Sequence, residues 1–293
     1  MANVIELAKK FIPMLDEVYK LSSLTAVLDG AAELAQQGAN ANELIIPKLD
    51  MQGLGDYNRN SGYVSGDVTL ANETVKCNFD RGRMFTVDYL DNLESAGIAF
   101  GRLSGEFIRT KVVPELDAFR FATYASVSGI SKVTAGATLA DGAAVVAALR
   151  SAVSEMDEDE VPQTERYLFI TPTLLGMVQD MDTTKSREVL QNFAGTVKVP
   201  QTRFYTAIEQ LDGTTGGEEA GGYKKGTGAA NINFMIIHKA AVIQFQKHVA
   251  PKIITPEQNQ MADAYKFGYR NVGIADVYEN KVAGIYLHHQ AAG

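Results

Sequence analysis

From residue 97 to residue 128 apolar side chains recur on one helical stripe: Phe100, Leu103, Phe107, Val112, Leu116 and Phe119. A helix of about 32 residues is roughly 48 Å long at about 1.5 Å per residue. A compact chain of 293 residues has a diameter of about 50 Å, so this helix would run from edge to edge. Glu106 with Arg109, and Lys111 with Glu115, are spaced as ion pairs along its exposed side. Pro114 lies inside the pattern, removes one backbone hydrogen bond and predicts a bend. Two shorter helices meeting at Val113-Pro114 are the alternative reading. A compact enzyme has little use for such a strut; a protein that tiles a surface does.

The segment ahead of the helix is polar and turn-rich. Residues 53–66 carry Asn58, Asn60, Gly62 and Tyr63 and offer little to bury. Leu44-Ile45-Ile46-Pro47-Lys48-Leu49 reads as a short strand, with Pro47 favouring a sheet edge. Thr74-Val75-Lys76-Cys77-Asn78-Phe79 alternates cleanly, and so does Arg83-Met84-Phe85-Thr86-Val87-Asp88. Together they read as one long two-stranded excursion. Such a hairpin is marginal in water by itself and needs something to lie on. Cys77 reads as a small apolar residue on a strand face.

Elsewhere helices and strands mix without regular alternation, which predicts an α+β fold. Val4, Ile5, Ala8, Ile12, Leu15 and Tyr19 form an N-terminal amphipathic stripe, with Lys9, Lys10 and Lys20 mostly off it. Residues 138–156 predict a second helix with Asp141 near its start. Tyr167-Leu168-Phe169-Ile170 predicts a strand, followed by Thr171 as N-cap and Pro172 at the first helical position. The last sixty residues are strand-rich, with runs at 232–237, 241–245, 252–254 and 282–287.

The chain carries 35 acidic against 27 basic residues, a net charge of −8, which argues against a dedicated nucleic-acid binder. A single cysteine allows no internal disulfide. No stretch approaches the ~20 apolar residues of a membrane span, and the N-terminus does not read as a signal peptide, so a soluble, cytoplasm-made protein is expected. Catalytic signatures are missing. His238, His248, His288 and His289 include no i,i+4 pair, and Gly101-Arg102-Leu103-Ser104-Gly105 does not fit Gly-x-Ser-x-Gly. The glycine-rich stretch 213–228 has Tyr223 where a phosphate-binding loop needs lysine, so it reads as a mobile surface loop. Glu155-Met156-Asp157-Glu158-Asp159-Glu160 reads as a solvated charge cluster rather than a metal site. The expectation is no enzyme, no cofactor and no metal.

Taken in order, these segments resemble the major capsid protein of a tailed bacteriophage with the HK-97-type fold. The run Thr74-Val75-Lys76-Cys77-Asn78-Phe79-Asp80-Arg81-Gly82-Arg83-Met84-Phe85 is similar to that family's extended hairpin, the E-loop. Val113-Pro114-Glu115-Leu116-Asp117-Ala118-Phe119-Arg120 resembles its spine helix. Tyr269-Arg270 and Glu279-Asn280-Lys281-Val282-Ala283-Gly284-Ile285-Tyr286 resemble its closing strands. The resemblance implies an N-terminal arm over 1–45, the E-loop and flanking strands over 46–94, and the spine helix of a peripheral domain over 95–132. An axial domain over 133–248 and C-terminal strands of the peripheral domain over 249–293 complete it.

It further implies assembly of copies as hexamers and pentamers into an icosahedral shell. The shell would enclose double-stranded DNA through weak, non-specific contact, with portal and scaffolding proteins as further partners and no membrane. The expected location is the virion capsid, assembled in the host bacterial cytoplasm, with scaffolding supplied separately or not needed. No Lys–Asn crosslink pair is identifiable. Arg81 and Arg83 are expected to pair with acidic residues of a neighbouring subunit, and Lys9, Lys10 and Lys20 to face the genome or an adjacent subunit. The rival readings are an encapsulin-type nanocompartment shell and, from another class, an α+β enzyme with an unrecognised site.

Overall fold

The computed structural model describes residues 23–30, 36–37, 43–60, 62–90, 98–132 and 136–291. Strands β1 (Gln36–Gln37), β2 (Glu43–Met51) and β3 (Val68–Lys76) form an antiparallel sheet. Among the described residues β1 pairs with β2 at Leu44 and Ile45, and none of them pairs with Pro47 on that side. β4 (Phe79–Asp88) leaves this sheet. A continuous helical rod follows, made of α1 (Ile98–Phe107), a π-helical turn (Ile108–Val112) and α2 (Val113–Ser126). It is about 43 Å long at about 1.5 Å per residue.

After β5 (Ser131–Lys132) come α3 (Gly142–Glu158), β6 (Arg166–Ile170), α4 (Pro172–Asp180), α5 (Thr184–Gln191) and β7 (Gly195–Lys198). A small hairpin, β8 (Ile208–Leu211) and β9 (Gly222–Lys225), precedes β10 (Ile232–His238), β11 (Val242–Ile254), β12 (Ala264–Val277) and β13 (Ile285–His289). Asp141 caps α3, its side chain accepting from Ala144 N at 2.8 Å. Thr171 stands at the N-cap of α4 with Pro172 behind it.

The long helix is not broken at Pro114. Proline has no N–H for the carbonyl four residues back and crowds it. The preceding turn is widened to the i→i+5 pattern, which gives that carbonyl room. The wider turn re-aims the side chains that follow it. Ile108, Val113 and Leu116 become the buried face, together with Phe79, Phe267 and Tyr269. Glu115 turns to Arg81 on β4, although its spacing suggests Lys111. Arg109 keeps its expected partner, Glu106, at 2.7 Å.

Two main sheets lie along this rod. One has the order β11-β12-β4 and packs on the π-turn and the first half of α2. The other has the order β5-β13-β10-β6-β7. Its one face packs on Phe121, Tyr124 and Ala125 of α2, and its other face is covered by α3, α4 and α5. Every residue of β10 is buried, as a central strand sandwiched between helices must be. β13 joins this second sheet, in the same layer as residues of the 133–248 stretch, because Ile285 and Leu287 fill the core against α2.

The alternating runs 74–79 and 83–88 are not two strands of one hairpin. The first lies mostly in β3 and pairs with β2, Val75 opposite Leu44. The second lies in β4 and pairs with β12, Phe85 opposite Phe267. Asn78 makes the switch: its Nδ2 donates to Ala275 O at 2.7 Å and its Oδ1 accepts from Ala275 N at 3.1 Å. Its amide thus extends the β4–β12 ladder by one pair. Cys77 packs beside Val75, Ile243 and Ile274 as a small apolar residue. The hairpin that stands apart from the two main sheets is therefore β2–β3.

The acidic run 155–160 is not wholly solvated. Asp157 pairs with Arg166 at 2.8 Å, and that buried guanidinium also donates to Pro162 O at 2.9 Å and to Val161 O. His288 is buried against Phe234, ring centroids 4.9 Å apart. Asn233 Nδ2 donates to Ala137 O at 2.9 Å and lies 3.0 Å from His288 Nδ1, which is thus the acceptor of a neutral ring. Burial, and then the neighbouring His289, push its pKa down to about 4. The unfolded chain takes up this proton near pH ~6.5. Its contribution to stability is therefore complete above about pH 6.5 and is lost as the pH falls toward about 4. His288→Gln is expected to flatten that acid limb of a plot of melting temperature against pH.

Candidate assembly surface

The tip of the β2–β3 hairpin, residues 52–67, is shaped by its own hydrogen bonds. Gln52 N donates to Asp67 O at 3.4 Å, and Asp67 N donates to Gln52 Oε1 at 3.2 Å. Asn58 and Gly62 exchange backbone bonds of 3.2 and 2.7 Å, and Asn60 N donates to Asn58 Oδ1 at 2.8 Å. Gly62 takes a φ of 81°, open to glycine at no steric cost. The rings of Tyr57 and Tyr63 meet edge to face at 4.9 Å. The tip also presents apolar side chains to solvent: Leu54 is 108% exposed, Tyr63 90% and Val64 69%. These side chains stand exposed at the end of a turn fixed by its own hydrogen bonds.

Arg81 and Arg83 stand on β4 and point at the β8–β9 hairpin of their own chain. Arg81 Nε bonds Glu115 Oε1 at 2.7 Å, and its Nη2 donates to Leu211 O at 2.6 Å and Gly222 O at 3.2 Å. Arg83 donates to Ala220 O at 3.1 Å and to Glu219 O at 2.9 Å. The glycine-rich stretch is thus a bonded hairpin clamped to β4. Its turn is wound on Asp212, which accepts from Thr214 N at 2.7 Å and from Thr215 N at 2.8 Å. The Thr215 hydroxyl, which donates to the other Asp212 oxygen at 2.5 Å, and then these backbone bonds hold the Asp212 carboxyl well below the usual carboxylate range.

Burial pushes the Glu115 carboxyl up, and Arg81 opposes that shift. Arg81→Met is expected to cost about 1–3 kcal/mol, the loss of hydrogen bonds to a charged group, measured by urea unfolding. Glu115→Gln in the same chain should recover part of it. A charge reversal at Arg81 would strike this internal clamp before any neighbour felt it. Contact of Arg81 or Arg83 with another subunit stands as a proposal. Lys9, Lys10 and Lys20 lie outside the described residues.

Between β4, the long helix and the β8–β9 hairpin lies a cleft of about 870 Å³. Phe79, Phe85, Phe107, Tyr223 and Tyr269 line it, with Arg81, Lys111 and Asn271 among the polar groups. Of its carboxylates, Glu106 bonds Arg109, Glu115 bonds Arg81, and Asp212 is held by Thr214 and Thr215. Among the described residues no group of three or more His, Cys, Asp or Glu side chains could hold a metal ion. Among them, too, no helix is long and apolar enough to cross a membrane.

No protein-family model matches the sequence, and no curated protein matches it. Solved structures match over most of the chain. A structure from Mycobacterium phage Che8 aligns with a TM-score of 0.57 at 14% identity, covering 85% of this chain and 85% of that one. The capsid of Cyanophage P-SCSP1u aligns at 0.55 and 12% identity, over 88% of this chain and 86% of the other. A virus-like particle from Pyrococcus furiosus aligns at 0.54 and 10% identity, over 93% of this chain and 98% of that one. At these identities the likeness is one of fold: the chain has the α+β, HK-97-type fold.

Proposed function

We propose that the chain is a shell-forming subunit, the major capsid protein of a tailed phage. Copies would assemble as hexamers and pentamers into an icosahedral shell around double-stranded DNA. The reading rests on one pairing of observations. The fold is shared over 85% or more of the chain with capsid and virus-like-particle proteins, and the hairpin tip of this chain displays apolar groups that its own fold leaves uncovered. Division into arm, E-loop, peripheral and axial parts belongs to this proposal, with β2–β3 as the E-loop. So do the virion location, assembly in the host cytoplasm, portal and scaffolding partners, weak contact with DNA, and a purely structural, non-catalytic role. Negative-stain microscopy and light scattering of the purified chain test it. Closed particles of uniform size are expected; a monomer at every protein concentration and ionic strength would refute it.

A shell around protein cargo is the second reading. In its favour is the near-complete coverage, 98%, of the Pyrococcus furiosus virus-like particle chain. The ultraviolet absorbance ratio of shells purified from the native source separates the two, since packaged DNA dominates at 260 nm.

A further inference from the structure

The cleft beside the long helix sets an aromatic wall next to two cations. Phe85 and Phe107 meet edge to face at 4.8 Å, and Phe107 meets Tyr269 in the same way at 6.3 Å. Phe85 and Phe107 are half-buried, so part of each ring is open to the cleft they line. Arg83 is two residues from Phe85 on the same face of β4, about 6–7 Å along the strand. Lys111 follows Phe107 by four residues, about one turn of the helical rod. Both cations line the cleft and both are exposed.

The other charges of the lining are used within the chain. Arg81 pairs with Glu115 at 2.7 Å, Lys224 with Glu209 at 3.1 Å, and Glu106 with Arg109 at 2.7 Å. Lys225 bonds Asn231 Oδ1 at 2.9 Å, and Asp212 is turned into its own loop by Thr214 and Thr215. Lys111 has no bonded partner among the described residues. Arg83 donates to the carbonyls of Glu219 and Ala220, and none of the described carboxylates forms an ion pair with it. Those two bonds fix its guanidinium against Gly221, where a Cβ would come within 2.8 Å of Nη1. A cation already held in place loses little freedom when a ligand arrives.

The volume, about 870 Å³, lies within the roughly 300–1,000 Å³ of sites that bury a small ligand between apolar walls and a few polar groups. The ring wall favours a flat apolar body. The two uncompensated cations favour a negative head group. We propose that this cleft binds a small aromatic anion, its ring system against Phe85, Phe107 and Tyr269 and its acidic group at Arg83 and Lys111. The site lies within one subunit, so the inference goes beyond the shell reading and does not depend on it.

The test titrates the full-length chain with two fluorescent probes of similar shape. 8-Anilinonaphthalene-1-sulfonate carries the negative head, and N-phenyl-1-naphthylamine lacks it. Saturable binding of the sulfonate is expected. Lys111→Glu should weaken it about tenfold, by reversing one of the two facing charges, and leave the weaker binding of the neutral dye unchanged. Thr110→Trp, at an exposed position on the cleft wall, should fill the space and abolish binding of both. Unfolding midpoints equal to the parent's show that both variants fold. A sulfonate affinity that either substitution leaves unmoved would overturn the proposal. So would equal weakening of the two dyes by Lys111→Glu, or no saturable binding to the parent chain.

Discussion

Asp117→Ala is expected to lose about 3–5 kcal/mol of stability, the cost of leaving a buried charge without its partner. The Asp117 side chain is 0% exposed and sits where α2, residues 23–25 and the turn at Arg203 meet. Ser23 Oγ donates to it at 2.9 Å, Leu24 N at 3.1 Å, Thr25 Oγ1 at 2.8 Å and Arg203 Nη1 at 3.3 Å. One turn along α2, Arg120 donates to Thr25 Oγ1 at 2.8 Å and reaches Asp29 at 3.5 Å. Gln244 of β11 closes the network, donating to Thr25 O at 2.7 Å and accepting from Tyr124 OH at 2.8 Å. Alanine would strand the Arg203 charge and several buried donors at once. Asp117→Asn keeps the shape but turns an N–H toward donors, so it should also destabilise, by less. Urea unfolding checks both through the midpoint. A loss under about 1 kcal/mol for Asp117→Ala, the level of a surface pair, would contradict the assignment.

The second large effect is on assembly. Replacing residues 53–66 by Asn-Gly joins Gln52 to Asp67 through a two-residue turn suited to a hairpin. The Gln52–Asp67 backbone contact already places those two residues opposite each other. Among the described residues, none of those deleted belongs to the buried core clusters. Circular dichroism and the unfolding midpoint should therefore match the parent chain. Closed particles should vanish from light scattering and micrographs, because the groups presented for a neighbour are gone. Unchanged yields of closed shells would show that the tip is dispensable.

Several features could be read locally. Both predicted helix starts hold: Asp141 caps with its side chain, while Thr171 occupies the N-cap position without a side-chain bond and Pro172 opens the helix. The π-turn was also legible in principle. The apolar stripe of the long helix steps by five residues from Phe107 to Val112, which a 3.6-residue period cannot follow, and Pro114 stands just beyond. The long strand β12 was harder to see. Gly268 and Gly273 interrupt its apolar pattern, and the reason for Gly273 lies on another strand: a Cβ there would come within 3.1 Å of Phe245 O. Nothing near Arg81 in the sequence names Glu115 or the carbonyls of Leu211 and Gly222 as its partners. That the Asn271 amide has no partner among the described residues is likewise invisible without the strands around it.

By itself, the sequence determined the long helix, the α+β mixture and the order of segments that resembles a shell protein. These depend on periodicity, capping and proline, which act within a turn or two. Only the tertiary structure decided that β3 pairs with β2 while β4 pairs with β12, that β13 closes the helix-covered sheet, and that the glycine-rich stretch is a clamped hairpin. Backbone donors and acceptors are alike at every residue, so a strand carries no local label for its partner. The choice is made by side chains distant in sequence that must share one buried face, here Phe79 with Ile108 and Val75 with Ile274.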